Sequence, residues 1–230
     1  MDNRLVGIHQ PNFMPWLGYF YKISKSDVFI FLDDVQFIKT GSNYTNRVSL
    51  NIAGESKAVT IPIQRTSGVQ NINMTKILDE RWKKKLIGTI QANYAKSKYF
   101  KENKDFIFEL INFKSDCLST YNINFIESIS KRLDFDTEFI RSSEFKLHTN
   151  STQRLIDLIQ RVNGSRYLSG SGGDNYQDTQ LYVDNGIELI YTKVPKFEYK
   201  QNQTEKFIAG LSIIDAIFNI GIDKVKRVNR

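Results

Sequence analysis

The hydrophobic pattern of the first 32 residues predicts a strand, a polar turn, a helix and a second strand. Residues 5–8 and 28–32 are apolar runs of strand length, and two acids close the second run. Between them, Trp16, Tyr19 and Ile23 follow the spacing of a helix that buries one face, with Lys22 and Lys25 expected to face solvent. This order predicts a β-α-β unit, which joins two parallel strands.

The rest of the chain contains segments with the alternating pattern of strands and segments with the three-to-four-residue spacing of helices. Residues 47–52 and 57–63 alternate apolar and polar side chains around the turn 53–55, which predicts a β-hairpin. Helices are predicted at 79–94, 98–113 and 119–133, then at 152–163, 179–184 and 213–219. Further strands are predicted at 138–141, 166–168 and 187–192. The prediction is therefore an α/β fold with a mainly parallel sheet, in one domain (1–230) with a helical insertion or subdomain at about 79–135.

Composition narrows the class of protein. An apolar content of 40% supports a sizeable core and argues against disorder. No apolar run approaches the roughly 20 residues that span a bilayer, and residues 1–4 lack the pattern of a signal peptide. Cys117 is the only cysteine, which excludes an internal disulfide and fits a reducing compartment. These features predict a soluble cytoplasmic protein.

The net charge of +7 raises the question of an anionic partner. Basic residues are dense only at 83–85 and 224–227, and elsewhere they alternate with acids. A solvated helix face and a basic tail explain these clusters better than a nucleic-acid surface does. An anionic small substrate would suit the same charge.

The segment 8–22 is the leading candidate for an active site. His9 and Gln10 follow the first strand, and in open α/β sheets ligands bind at the carboxyl ends of strands. A histidine there is able to accept or donate a proton near neutral pH, which makes His9 the candidate catalytic residue. The alternative is that its ring only fixes the turn at Pro11. Asn12, Trp16 and Tyr19 belong to the same segment, although the spacing of the aromatic residues is also that of a helix packed on a sheet.

Two further groups supply polar side chains. Asp33 and its neighbour Asp34 end the second strand, where a carboxylate is able to bind Mg²⁺ or a sugar hydroxyl; no second pair of acids completes a metal site. Asn46 and Arg47 enter the hairpin, and an arginine there is suited to a phosphate or carboxylate, or to a surface ion pair.

The segment 169–176 follows a predicted strand and contains three glycines. Gly170, Gly172 and Gly173 would expose backbone N–H groups to a phosphate, with Tyr176 beside them; a flexible turn is the alternative. The spacing matches neither the Walker loop nor the dinucleotide fingerprint. Zinc-ligand spacing is also absent from the sequence.

Taken together, these residues resemble the WbqC-like family, whose members are associated with bacterial gene clusters for O-antigen and other surface polysaccharides. The resemblance starts at His9-Gln10-Pro11 and Pro15-Trp16-Leu17-Gly18-Tyr19-Phe20, and covers nearly the whole chain. It continues through Gln36, Lys39 and Asn46-Arg47 to Tyr167-Leu168-Ser169-Gly170 and Leu211-Ser212-Ile213-Ile214-Asp215. One departure is Leu86, which stands where the family has a histidine.

The resemblance implies a role in making the sugars of surface glycans. We predict an enzyme that transfers an acyl or aminoacyl group to the amine of a nucleotide-linked amino sugar, so its partners are a sugar nucleotide and an acyl donor. The alternative is a non-catalytic nucleotide-sugar-binding protein of glycan assembly. Cofactor requirement and oligomeric state stay open, and metal dependence is the minor alternative. The predicted substrate-binding residues are Gln10, Asn12, Trp16, Tyr19, Asp33, Gln36, Lys39, Asn46, Arg47, Gly170, Gly172, Gly173 and Tyr176.

Overall fold

A computed structural model describes residues 3–38, 44–64, 66–170 and 177–229. Its strands are β1 (Arg4–His9), β2 (Val28–Phe31), β3 (Arg47–Ile52), β4 (Glu55–Thr60), β5 (Glu138–Arg141), β6 (Gly164–Ser169) and β7 (Glu188–Tyr191). Its α-helices are α1 (Leu17–Ser24), α2 (Arg81–Tyr94), α3 (Phe100–Asn112), α4 (Leu118–Arg132), α5 (Ser151–Arg161), α6 (Thr179–Asp184), α7 (Ile213–Ile220) and α8 (Ile222–Val228). Two 3₁₀ turns lie at Ile72–Met74 and Ser142–Phe145.

Five of these strands form one parallel sheet in the order β5-β2-β1-β6-β7. The chain starts in the centre at β1, moves outward through β2 to β5, and then crosses back to place β6 on the other side of β1. The direction of winding therefore reverses between β1 and β6. The strands β3 and β4 form a separate antiparallel hairpin. The predicted α/β class with its mainly parallel sheet is confirmed.

The sheet is covered on both faces because successive strand residues point to opposite sides. On one face, Phe29 and Phe31 pack with α1, the helices α2–α4 and α7. On the other face, Val6 and Ile30 pack with α5 and α6. Helix α1 thus lies on one side of β1, while α5, which leads into β6, lies on the other side.

Several predicted boundaries change, and the turns explain why. The hairpin turn has only two residues, Ala53 and Gly54, both with positive φ (56° and 81°), so β4 begins at Glu55 rather than at 57. Helix α5 ends at Arg161, and Asn163 takes the left-handed conformation (φ 57°), which leaves Gly164 as the first residue of β6. The basic terminal segment, expected to be a tail, forms helix α8.

The helices α2–α4 fall between β4 and β5 in the chain, where the helical segment at 79–135 is predicted. They share one hydrophobic cluster with α1 and α7. The assignment of this segment as an insertion or subdomain stays a prediction. Within the described ranges, every helix is too short or too polar to cross a membrane.

Gly7, in the middle of β1, provides a test of this packing. A Cβ at Gly7 would overlap Ser26 Oγ and lie 2.9 Å from a ring carbon of Phe29, so Gly7→Ala is expected to lower the free energy of unfolding by about 1–3 kcal/mol. Gly88→Ala in α2 is the matched control: its Cβ meets open space, and a gain of about 0.5–1 kcal/mol is expected. Urea unfolding measures both. Equal effects of the two substitutions would contradict the assigned packing at Gly7.

Candidate active site at the β1–β6 crevice

The winding reverses between β1 and β6, so the carboxyl ends of these two strands form the switch point of the sheet, and we call the region between them the β1–β6 crevice. In doubly wound sheets, ligands bind at such a switch point, because the loops that leave the two strands diverge to opposite faces. Here β1 ends at His9 and β6 ends at Ser169. Gly170 follows Ser169, so the first two residues of the predicted segment 169–176 lie at the same edge of the sheet as His9.

The ring of His9 is fixed by its neighbours. Its Nδ1 lies 3.0 Å from the carbonyl oxygen of Gln10, and since a carbonyl only accepts hydrogen bonds, Nδ1 carries the proton and Nε2 the lone pair. The hydroxyl of Tyr19 donates to the same carbonyl at 2.9 Å. The rings of Tyr19 and Trp16 contact the imidazole edge-on, with centroids at 4.9 and 6.2 Å.

This surrounding keeps His9 neutral. Burial, and secondarily the nearby charge of Lys22, lower the pKa of His9 from 6.5 to about 4. At neutral pH the imidazole is therefore a fixed acceptor of a hydrogen bond or proton at Nε2.

Lys22 is the main correction to the sequence interpretation. The prediction that it faces solvent is wrong: its exposed fraction is 5%, and its ammonium donates a 2.7 Å hydrogen bond to the carbonyl oxygen of Ile8. The same nitrogen lies 5.7 Å from the centre of the Tyr167 ring on β6. Burial lowers the pKa of Lys22 from 10.5 to about 7. Its amine therefore lies beside the β1–β6 crevice, close to His9.

The turn after His9 is held by the side chains of Asn122 and Thr45. The side chain of Asn122 on α4 donates to the carbonyl oxygens of Pro11 and Thr45, at 2.8 and 2.6 Å. The hydroxyl of Thr45 lies 3.4 Å from the side-chain oxygen of Gln10. The Asn12 side chain is buried, and its Nδ2 has no hydrogen-bond partner within the described ranges. Gln10 and Asn12 thus present amide groups at a rigid turn.

On the opposite side of the crevice, the end of β6 carries a small polar cluster. The side chain of Gln177 donates to Ser169 Oγ at 3.1 Å, and Tyr167 makes hydrogen bonds with both of these side chains. Burial raises the pKa of Tyr167 to about 12, so this phenol stays protonated at neutral pH. Ser169 opens the predicted segment 169–176, whereas Tyr167 and Gln177 are not among the predicted site residues.

An apolar groove begins at Trp16. The segments 194–199 and 207–211 form its wall with α1, and its volume is about 420 Å³. Trp16 lines this groove and its indole also contacts the imidazole of His9, so one side chain connects the groove with the candidate catalytic ring. Neither of the two wall segments is among the predicted site residues.

Asp33 and Asp34 are engaged by the segment after β5. Asp33 is buried and accepts hydrogen bonds from the backbone N–H and the hydroxyl of Ser143, at 3.0 and 2.9 Å. Asp34 pairs with Arg154 at 2.6 Å, with both side chains largely buried. These bonds tie the end of β2 to β5 and α5. Among the described residues, no three His, Cys, Asp or Glu side chains are grouped as a metal site would require.

The remaining predicted residues lie on other surfaces or outside the described ranges. Asn46 donates to the carbonyl oxygen of Ile61 at 3.0 Å and lines a separate cavity of about 610 Å³. Arg47 is exposed and lies 3.5 Å from the Thr60 hydroxyl, while Gln36 is exposed and forms a backbone bridge with residue 71. The residues outside the described ranges are Lys39, Gly172, Gly173 and Tyr176.

Fold and crevice define a doubly wound α/β protein with a candidate ligand site at the switch point of its sheet. The chain belongs to the WbqC-like protein family, whose family model matches residues 10–227. It is 27% identical over 220 residues to an uncharacterized protein of Mycobacterium tuberculosis. The aligned residues make up 95% of this chain and 94% of that protein. No solved structure matches the chain. The resemblance described from the sequence is thereby confirmed.

Replacing the buried amine of Lys22 with an apolar side chain tests its electrostatic cost. Lys22→Met is expected to stabilise the ligand-free protein by roughly 1–4 kcal/mol at pH 6, because it removes a desolvated charge and keeps the volume. The pKa of Lys22 is about 7 in the folded protein and 10.5 in the unfolded chain. Between pH 7 and pH 10.5 the unfolded chain therefore binds more protons than the folded protein, and the stability of the wild type rises with pH. The gain should therefore shrink from pH 6 to pH 9 in urea unfolding.

Lys25→Met is the control: Lys25 follows the last residue of the same helix, is half-buried and lies 5.1 Å from the centre of the Tyr21 ring, so the substitution should change stability by no more than about 1 kcal/mol at either pH. A loss of stability in Lys22→Met that does not depend on pH would show that the amine is held by favourable contacts alone.

Proposed function

We propose that this protein transfers an acyl or aminoacyl group to the amine of a nucleotide-linked amino sugar in surface-polysaccharide synthesis. Family membership supports the biological setting, and the β1–β6 crevice supports a site for a nucleotide-linked ligand. The single observation that carries the proposal is His9 itself, a neutral imidazole with its lone pair fixed on Nε2, placed next to an apolar groove.

The reaction that suits this arrangement is aminolysis of an activated acyl group. The amine nitrogen of the sugar attacks the carbonyl carbon, and a C–N bond forms. As the nitrogen becomes positively charged, His9 Nε2 accepts one of its protons. The bond from the carbonyl carbon to the leaving group then breaks, and the imidazolium returns the proton to the leaving group. The proton to be removed becomes acidic only after attack, and at that point the neutral imidazole is in the form that accepts it.

The groove beside Trp16 suits the acyl part of the donor. Its volume of about 420 Å³ is within the range of small-ligand sites, and Phe197 and Leu211 contribute apolar walls. Gln10 and Asn12 would orient polar groups of the sugar. Asp33, Gln36, Asn46, Arg47 and the glycine segment that starts at Gly170 stay predictions as substrate contacts. We place the reaction in the cytoplasm, in keeping with a single cysteine and no disulfide.

His9→Ala tests the proposal directly. Purified protein is incubated with UDP- and dTDP-linked amino sugars and acyl-coenzyme A or aminoacyl-adenylate donors, and mass spectrometry detects the acylated sugar. The substitution is expected to lower kcat/KM by about 10²–10⁴-fold. A protonated His9 cannot act as the base. Because the pKa of His9 is about 4, the wild-type kcat/KM should fall only as the pH drops to about 4.

His148→Ala is the control, since His148 is the other histidine, is exposed and precedes α5, and its replacement should leave kcat/KM unchanged. An unchanged circular dichroism spectrum and melting temperature show that His9→Ala folds. Full activity of folded His9→Ala would eliminate the assignment of His9.

The second candidate function is a nucleotide-sugar-binding protein without catalysis. It is favoured by the low pKa of His9, which makes the ring a weak base, and by the engagement of both nearby carboxylates in structural bonds. Thermal-shift measurements with nucleotide sugars, with and without acyl donors, separate the two. A ligand that stabilises the protein and is never consumed supports the binding function.

A further inference from the structure

We propose that Lys22 is the phosphate-binding cation of this protein, with its ammonium holding a phosphate of the ligand at the carboxyl end of β1. The inference rests on the proposed function for the identity of the ligand as a nucleotide-linked sugar. It differs from the prediction made from the sequence, which assigned phosphate binding to Arg47 and the glycine-rich segment.

The first argument is position. The Lys22 side chain runs from α1 to the end of β1, where its nitrogen lies 2.7 Å from the oxygen of Ile8, one residue before His9. It also lies 5.7 Å from the ring centre of Tyr167 on β6. The ammonium thus contacts both strands between which the sheet reverses its winding, which is the place where doubly wound proteins bind ligands.

The second argument is charge balance. Lys83 is equally buried, but its ammonium pairs with Glu80 at 2.7 Å and donates to the carbonyl oxygen of Phe113 at 2.7 Å. Within the described ranges, Lys22 has no carboxylate partner, and only the Ile8 carbonyl accepts from it. A buried ammonium without an anion is costly, since desolvation is not repaid by an opposite charge. An anionic ligand would supply the missing partner.

The third argument compares the basic residues available. Arg47 is exposed and lies on the hairpin, where solvent screens its charge. Lys22 acts in a desolvated environment, where the same charge attracts an anion more strongly. Lysine is also a regular phosphate ligand in proteins, acting as a point charge.

Phosphate binding at Lys22 has a consequence that a structural role would not produce. The free amine has a pKa of about 7, so at pH 8 most molecules are neutral, and binding an anion should draw in a proton. The titratable groups around Lys22 are His9, Tyr19, whose ring contacts His9, and Tyr167. Burial lowers the pKa of His9 and raises those of both phenols, so all three stay neutral from pH 7 to 9.

Isothermal titration calorimetry at pH 8, in buffers of different ionisation enthalpy, measures this proton uptake. The probes are UDP-glucose, dTDP-glucose, GDP-mannose and inorganic pyrophosphate. Wild-type protein is expected to take up between about 0.5 and 1 proton for each nucleotide sugar bound. Lys22→Met should weaken binding at least tenfold and abolish the uptake, whereas Lys22→Arg should bind without any uptake because arginine is always charged.

Lys25→Met is the matched control and should bind like wild type. The Lys22 variants are checked by circular dichroism, and Lys22→Arg separates loss of charge from loss of fold. The inference is overturned if Lys22→Met binds within twofold of wild type, if wild-type binding takes up no proton, or if neither nucleotide sugars nor pyrophosphate bind. Lys22-dependent binding without any acyl transfer would retain the inference and remove the proposed reaction.

Discussion

The reversal of winding between β1 and β6 is the constraint on which the rest of this structure depends. Because β2 and β5 lie on one side of β1 while β6 and β7 lie on the other, the connecting helices cover opposite faces of the sheet. In doubly wound sheets the loops after two such strands diverge, and the strand ends border one ligand-binding crevice. His9 reaches it from β1, Lys22 reaches it from α1, and Ser169 reaches it from β6.

Desolvation then decides the chemistry of this crevice. It lowers the pKa of His9 and that of Lys22, so near pH 7 His9 is neutral and Lys22 is about half protonated when the site holds no anion. The two acids at the end of β2, Asp33 and Asp34, are held by the segment after β5 and by Arg154. The site thus has two basic groups with lowered pKa values, and the nearby carboxylates are already bonded to other residues. Such a site favours a ligand that carries its own negative charge.

Much of the fold was predictable from local patterns. The unit β1-α1-β2 followed from two apolar runs around a helical spacing, because the strands are buried on both faces and α1 on one. The predicted boundaries were wrong where the backbone conformation of a single residue, rather than the hydrophobic pattern, ends an element. Asn163 is an example, because its positive φ ends α5 and allows Gly164 to begin β6. The candidate site was harder: Lys22 lies three residues after Tyr19, on the buried face of α1, so its spacing indicated burial while its charge indicated solvent.

By itself, the sequence determined the class of fold, the family and the strand-end location of His9 and Gln10, because these depend on local periodicity and on motifs contiguous in the chain. Only the tertiary structure decided which distant segments meet. It joined β1 to β6, enclosed the Lys22 amine between them, and directed Asp33 and Asp34 into structural bonds. The physical reason is that the order of strands in a sheet, and the desolvation that results, arise from contacts between residues more than a hundred positions apart.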